Sequence, residues 1–478
     1  MEYLAVDVSS EINGVAFREC ILRDPGGTFS RKAECTQIYL PENYGEPSAK
    51  KIPIFVALLR SSAKKKQVDP MVLIAGGPGQ SATESFIFPG MGFHKVRQTR
   101  DIFLIDQRGT GKSNRLACDL PIDIDSLSKD QQVSFVKACE AELSAGSDLR
   151  QYTTSVAVRD LETVRQQLGL TQWNLYGVSY GTRVAQHYLR RYPEAVRSVV
   201  LDAVVPPDHP LGTEISLQSQ RSLEQLIMRC ENHEGCRQEF SNLRSGVAAL
   251  MQDIKTAPKK LLLENTRTGQ IDAFELTAAH LNAIVRFSLY SPELASVLPV
   301  QLHAAYQHNN FLPLARSIKV GHFDLSQQLS FGMHAAVVCS EDIAFLSQNT
   351  VEASAKASEG SYLGSEMLQS LQTICQHWPA GVVDSDFHQR VKSSVPVLLM
   401  SGSADPITPP SYAEDAAQYL SNSIHLVVEG FAHSVLRVGC MPGLLAKFVE
   451  SAAVDIEPSC LKRQRPAPIF VDFNGPQP

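Results

Sequence analysis

The sequence predicts an α/β fold built on a doubly wound, mostly parallel sheet and interrupted by a large, mainly helical insertion. Two observations carry this. Short continuous apolar runs at 71–75, 102–105, 173–176 and 199–201 each end in a turn containing Gly or Asp, with helical patterns between them. Strands covered on both faces read this way, and their alternation with helices calls for a parallel sheet. After Pro206-Pro207 the strand pattern lapses, and it resumes only at 395–400 and 424–428.

In chain order, 35–40 and 52–59 are β-rich runs flanking the turn Pro41-Glu42-Asn43-Tyr44-Gly45, which predicts an opening antiparallel pair. The clearest helix is 156–168, where Val158, Leu161, Val164 and Leu168 share a face and Gly169 stops the chain. Amphipathic stretches at 217–228 and 243–254 mark the insertion. The expected organisation is a core in two parts, 1–205 and 392–478, with a lid over 206–391 and an irregular tail punctuated by Pro466, Pro468, Pro476 and Pro478. A chain of 478 residues needs such a second element, because one core rarely grows beyond roughly 250–300 residues.

Composition excludes several classes of function. Hydrophobic content of 44% and charged content of 20% are those of a globular chain, and no stretch reaches the roughly 20 apolar residues of a membrane helix. A net charge of −6 offers no field for nucleic acid, and the basic run Lys64-Lys65-Lys66 is too short to change that. Gly109-Thr110-Gly111-Lys112-Ser113 imitates the end of a phosphate-binding loop, but Asp106 stands where that loop needs its first glycine. The cysteines form no C-x-x-C pair or Cys/His zinc spacing, so neither a metal nor a cofactor is expected.

Ten cysteines fall into five neighbouring couples: 20 with 35, 118 with 139, 230 with 236, 339 with 375, and 440 with 460. Sequential disulfides are the expected pairing, and they imply a periplasmic or secreted protein. The first residues lack a charged start and apolar run, so either a leader has been removed or the thiols are free in a cytoplasmic protein.

The sharpest chemical signal is Gly177-Val178-Ser179-Tyr180-Gly181, a G-x-S-x-G between an apolar strand and the helical pattern 182–192. A strand-to-helix turn this tight leaves no room for side chains two residues either side of the serine, and it holds the hydroxyl exposed at the edge of an α/β-hydrolase sheet. Ser179 is the expected nucleophile. The helix N-terminus that follows aims N–H groups at developing negative charge, so the Tyr180 N–H is one expected oxyanion donor. The second should come from Gly76-Gly77-Pro78-Gly79, with the Gly77 N–H preferred and Gly76 next.

A serine hydroxyl needs a base, and the order Ser, Asp, His is met after the last two strands. Asp405 lies in Ser401-Gly402-Ser403-Ala404-Asp405-Pro406, and His433 in Gly430-Phe431-Ala432-His433-Ser434. Asp202, ending the strand after the elbow, is the alternative acid; otherwise it is a turn former ahead of Pro206.

Gly76-Gly77-Pro78-Gly79, the segment Asp106-Gln107-Arg108-Gly109-Thr110-Gly111-x-Ser113, and Gly177-x-Ser179-Tyr180-Gly181-Thr182, with Asp405 and His433 behind them, resemble the proline iminopeptidase and tripeptidyl aminopeptidase group of α/β-hydrolases. Tyr180 after the nucleophile is similar to the tripeptidyl branch, and Ala75 replaces the histidine that often precedes the glycines, so strict proline preference is not implied. In the lid, Ala336-Val337-Val338-Cys339-Ser340-Glu341-Asp342 is similar to a segment whose acid faces the active site. The resemblance therefore implies Glu341, with Asp342, as the group that receives a substrate's free α-ammonium. The expected function is a serine exopeptidase acting on peptides with free N-termini. An esterase of small acyl substrates shares the same catalytic residues, and a catalytically silent binding protein would keep the fold alone.

Overall fold

The computed structural model describes residues 8–46, 48, 50–88, 90–118, 127–264, 269–317 and 328–476. The strands are β1 (Val8–Ile12), β2 (Val15–Arg23), β3 (Ser30–Pro41), β4 (Lys51–Leu59), β5 (Met71–Ile74), β6 (Ile102–Ile105), β7 (Trp173–Val178), β8 (Val196–Asp202), β9 (Lys259–Glu264), β10 (Ile271–Leu276), β11 (Val397–Gly402) and β12 (Ser423–Val428). Ten of them form one sheet in the order β1-β2-β3-β4-β6-β5-β7-β8-β11-β12, while β9 and β10 pair separately. From β6 to β12 every neighbouring pair is parallel, and the strands from β1 to β4, with β6, pair antiparallel. The parallel half thus turns the C-terminal ends of β5, β7, β8, β11 and β12 to one edge, where ligands meet such sheets.

The alternation of side chains along a strand divides the core into two layers. Val72, Ile74, Phe103 and Ile105 face one layer, beneath the helices Thr154–Gln167 and Tyr180–Arg191. Met71, Leu73, Ile102 and Leu104 face the other, against Leu444, Leu445 and Phe448 of the helix Met441–Ser451. Both faces are covered, which explains why these strands are apolar at every position.

The opening pair 35–40 and 52–59 lies within β3 and β4, which pair in register, but β1 and β2 precede it. Their connection is Asn13-Gly14, both at positive φ, the backbone that a two-residue hairpin turn needs. Between β8 and β11 the chain is mainly helical, as expected, and also carries the β9–β10 hairpin. The helices Ile215–Asn232, Leu243–Thr256, Ala278–Ser288 and Pro292–His308 build a core of their own around Leu223, Ile227, Leu250, Ile284, Leu298 and Leu302. The helix Phe331–Glu341 instead packs into the sheet's layer through Phe331, Met333, Ala336 and Val337. The irregular tail returns to the insertion, where Ile469 joins its core and the Phe470 N–H donates to the Ser296 carbonyl at 2.9 Å.

The five disulfides are the sequential ones: Cys20–Cys35, Cys118–Cys139, Cys230–Cys236, Cys339–Cys375 and Cys440–Cys460. Cys339–Cys375 joins the helix Phe331–Glu341 to the helix Glu366–Cys375 across a separation of 36 residues. Replacing both cysteines by serine is expected to lower unfolding stability by about 4 kcal/mol, from the freed loop entropy of the unfolded chain. Denaturant titration of the variant checks this, and an unchanged midpoint would refute it.

The segment 106–113 is scaffold. Asp106 is buried; its carboxylate accepts the Thr83 N–H and hydroxyl at 2.9 and 2.8 Å and the Lys112 N–H at 3.0 Å. A Cβ on Gly111 would lie 2.2 Å from that carboxylate. Arg108, fully buried, meets Asp160 with two guanidinium contacts of 2.6 and 2.7 Å and donates to the carbonyls of Glu42 and Gln151. The motif therefore ties the strand to the chain behind the catalytic edge.

Candidate active site

β7 turns into the helix Tyr180–Arg191 through Ser179, which adopts φ 55° and ψ −128°. A non-glycine residue in this region costs on the order of 1–3 kcal/mol and persists only when its surroundings enforce it. Here the Ser179 N–H donates to the Asp202 carbonyl at 2.9 Å, and its own carbonyl accepts the N–H and hydroxyl of Thr182 at 2.8 and 2.6 Å. The two glycines are required by contact: a Cβ on Gly177 would stand 2.3 Å from the Gly181 carbonyl oxygen, and one on Gly181 would stand 2.4 Å from that of Ile74.

Asp405 follows β11 and His433 follows β12, at the same edge as Ser179. His433 Nδ1 lies 2.9 Å from Asp405 Oδ2. Asp405 is buried, and its carboxylate also accepts the N–H groups of Ile407 and Thr408 at 2.9 Å each and the Thr408 hydroxyl at 2.8 Å. Burial opposes ionisation of Asp405, but the charge of His433 and these donors prevail, holding the carboxyl below its ordinary value. Burial likewise opposes the charged imidazole, and the Asp405 carboxylate outweighs it, so His433 sits above its ordinary value. With Nδ1–H turned to Asp405, Nε2 is left to accept a proton.

Asp202 does not occupy the acid position. Its buried carboxylate accepts the Tyr176 hydroxyl at 2.8 Å, the Ser434 hydroxyl at 2.6 Å, and the N–H groups of Val435 and Leu436 at 3.0 and 3.3 Å. Through its carbonyl on Ser179 and its carboxylate on the segment after His433, Asp202 ties the nucleophile's turn to the histidine's loop.

At the oxyanion side, Gly76 lies directly against the nucleophile; a Cβ there would be 3.0 Å from the Ser179 Cβ. Gly77, at φ 107°, begins a cis bond to Pro78. Among the described residues neither the Gly77 nor the Tyr180 N–H donates a hydrogen bond.

Glu341 and Asp342 end the helix Phe331–Glu341 behind Tyr180, and both are buried. Glu341 accepts the N–H and hydroxyl of Thr154, at 2.5 and 2.8 Å, and Thr154 Oγ lies 2.6 Å from the Tyr180 hydroxyl. Burial pushes the Glu341 carboxyl up to about 8. Asp342 pairs with Arg183 at 2.9 Å and accepts the Leu211 N–H. The structure thus brings Glu341, through Thr154, to Tyr180 and Asp342 to Arg183 of the same helix, with both Glu341 oxygens and Asp342 Oδ1 already engaged.

Three participants have no signature of their own in the sequence. Thr408 reaches both Asp405 and, at 3.3 Å, His433 Nδ1. Tyr290, from the insertion, accepts the His433 N–H on its carbonyl at 3.2 Å and sets its ring edge-on to the imidazole at 5.1 Å. Arg183, one turn into the elbow helix, holds Asp342. Thr408 alone had a local cue, as a hydroxyl three residues after an aspartate in a turn.

Residues 69–226 match the family described as the alpha/beta hydrolase fold. With the sheet order and the elbow geometry, this makes the protein an α/β-hydrolase, an enzyme of the serine hydrolase and peptidase class. Residues 360–460, which include Asp405 and His433, match the TAP-like protein family. The serine protease Hip1 of Mycobacterium tuberculosis is 24% identical over 447 residues, covering 87% of this chain and 83% of its own. The tripeptidyl aminopeptidase of Streptomyces lividans is 27% identical over 197 residues, 36% of each chain. The proline iminopeptidase of Neisseria gonorrhoeae is 30% identical over 135 residues, 28% of this chain and 32% of its own. Among the described residues no helix is long and apolar enough to cross a membrane, and no group of three or more His, Cys, Asp or Glu is placed to hold a metal ion.

Proposed function

We propose that the protein is a serine aminopeptidase that removes residues or short peptides from free N-termini through an acyl-enzyme. The observation that carries this reading is the His433–Asp405 contact at the edge that holds Ser179, capped by Tyr290 of the insertion and flanked by the acids behind Tyr180. His433 Nε2 takes the Ser179 proton as Oγ attacks the peptide carbonyl. The N–H groups of Tyr180 and Gly77 receive the oxyanion. His433 then returns the proton to the leaving amine, and a water repeats the sequence on the ester. The region 206–391 acts as a lid that admits chain ends, and the five disulfides suit a periplasmic or secreted setting.

In this reading Glu341 receives the α-ammonium, which would displace the Thr154 hydroxyl from it. A buried carboxyl raised to about 8 is largely protonated at neutral pH, so an arriving ammonium is selected by the ionisation it induces. Glu341→Gln is expected to lower kcat/KM for free-amine peptides by about 10- to 100-fold, the worth of one charge-assisted contact, while sparing acetylated ones. The test compares peptide amides that are identical except for a free or acetylated N-terminus, with short esters alongside. Cleavage restricted to free-amine peptides supports the aminopeptidase. Ester turnover without peptide cleavage would replace it with an esterase.

A further inference from the structure

The insertion brings a cation as well as acids to the catalytic edge. Arg286 belongs to the helix Ala278–Ser288, four residues before Tyr290, and is half-buried. Its guanidinium carbon lies 4.3 Å from the centroid of the Phe287 ring, a stacked position that restrains the side chain. Phe287 in turn approaches Tyr290, with ring centroids 6.0 Å apart, and Tyr290 is the residue set against His433. The Arg286 charge acts on Tyr290, on Tyr362 and on His334. His334 Nδ1 lies 3.2 Å from the carbonyl of Pro78, in the loop that carries Gly77. Arg286 therefore lies against Phe287 and Tyr290, which flank His433, and within electrostatic reach of His334 beside the oxyanion loop.

Two features mark this place as built for a ligand. Among the described residues no carboxylate pairs with Arg286, although most buried arginines here, including Arg100, Arg108 and Arg183, have one. The Tyr362 hydroxyl, on which the Arg286 charge acts, is buried and among the described residues makes no hydrogen bond of ordinary geometry, Ser219 interacting with it only loosely. A buried phenol with only a loose partner is costly in an empty protein, and together with a guanidinium free of carboxylates it becomes favourable around a bound anion. His334 feels both the Asp342 charge and the Arg286 charge, so an acid behind Tyr180 and a cation of the insertion act on the same residue beside the oxyanion loop.

We propose that Arg286, with the Tyr362 hydroxyl, forms a subsite for a carboxylate of the substrate. The carboxylate is an acidic side chain or the C-terminus of a short peptide; a planar guanidinium fork suits either. This rests on the peptidase reading above for the peptide, though not for the charge. A substrate carrying both an ammonium and a carboxylate would meet charges of opposite sign at Glu341 and Arg286.

The test measures kcat/KM for two pairs of free-amine peptides. One pair differs only in a C-terminal acid or amide, and the other, amidated, only in Glu or Gln at each position in turn. The wild type is expected to favour the carboxylate member of at least one pair by about 10- to 100-fold, chiefly through KM. The pair that responds identifies the source. Arg286→Gln should bring that ratio close to one, and Arg286→Lys should retain part of it. Labelling of Ser179 by a fluorophosphonate reports that each variant is folded. Equal rates in the wild type, or a preference that survives Arg286→Gln, would overturn the proposal. If esters but no peptides are turned over, the peptidase reading fails separately. Arg286 is then judged on a hydrogen-glutarate monoester against an uncharged pentanoate ester, with the same two outcomes.

Discussion

Ser179→Ala is expected to lower kcat/KM by roughly 10⁴- to 10⁶-fold, whichever acyl substrate is used, without unfolding the protein. The hydroxyl contributes no contact that the fold depends on, since the turn is held by the Ser179 backbone on Asp202 and Thr182. The strain at φ 55° is unchanged by alanine, so thermal stability should stay close to that of the wild type. Loss of fluorophosphonate labelling together with turnover identifies Ser179 as the nucleophile; retained labelling would place it elsewhere. In the active protein, hydrolysis should rise with pH as His433 loses its proton. Because Asp405 holds the imidazole above its ordinary value, the midpoint should lie on the alkaline side of 6.5. Removing Asp405 should move it down.

The second large effect separates the two aspartates. Asp405→Asn is expected to lower kcat by roughly 10⁴-fold, because an amide turned toward His433 stabilises the wrong tautomer and no longer supports the imidazolium. Asp202→Asn acts indirectly. It leaves some of the donors from Tyr176, Ser434, Val435 and Leu436 without an acceptor, shifting the loop that carries His433. A displacement of that kind costs about 100-fold in kcat with little change in KM, and the unpaired buried donors cost about 1–3 kcal/mol each in stability. Steady-state kinetics and urea denaturation of both variants distinguish the roles. If Asp202→Asn proved the more damaging to catalysis while remaining stable, Asp202 and not Asp405 would be the orienting acid.

Much of the architecture was legible in the sequence because it depends on local chemistry. The parallel strands β5 and β6 are apolar throughout, since both faces of the sheet are covered. Gly177 and Gly181 stand where any side chain would collide with backbone, and the five disulfides join cysteines that are neighbours along the chain. Ser179, Asp405 and His433 follow β7, β11 and β12, strands that end at one edge of the sheet. The β1–β2 hairpin was missed although Asn13-Gly14 announces it, because its strands are half-exposed and mix charged with apolar residues. The β9–β10 hairpin was hidden in the same way within a helical region.

What only the tertiary structure decided is how distant side chains share one space. A carboxylate at the end of a strand reads the same in sequence whether it orients a histidine or anchors the loop beside it. For Asp202 and Asp405 the difference is set by which donors the neighbouring strands bring within 3 Å or so of each. Likewise Arg286 belongs to a helix whose periodicity reports only that one face is buried, and Tyr290 to the turn that follows it. That the face meets His433 follows from the docking of the insertion on the sheet, a long-range packing decision that no local pattern encodes.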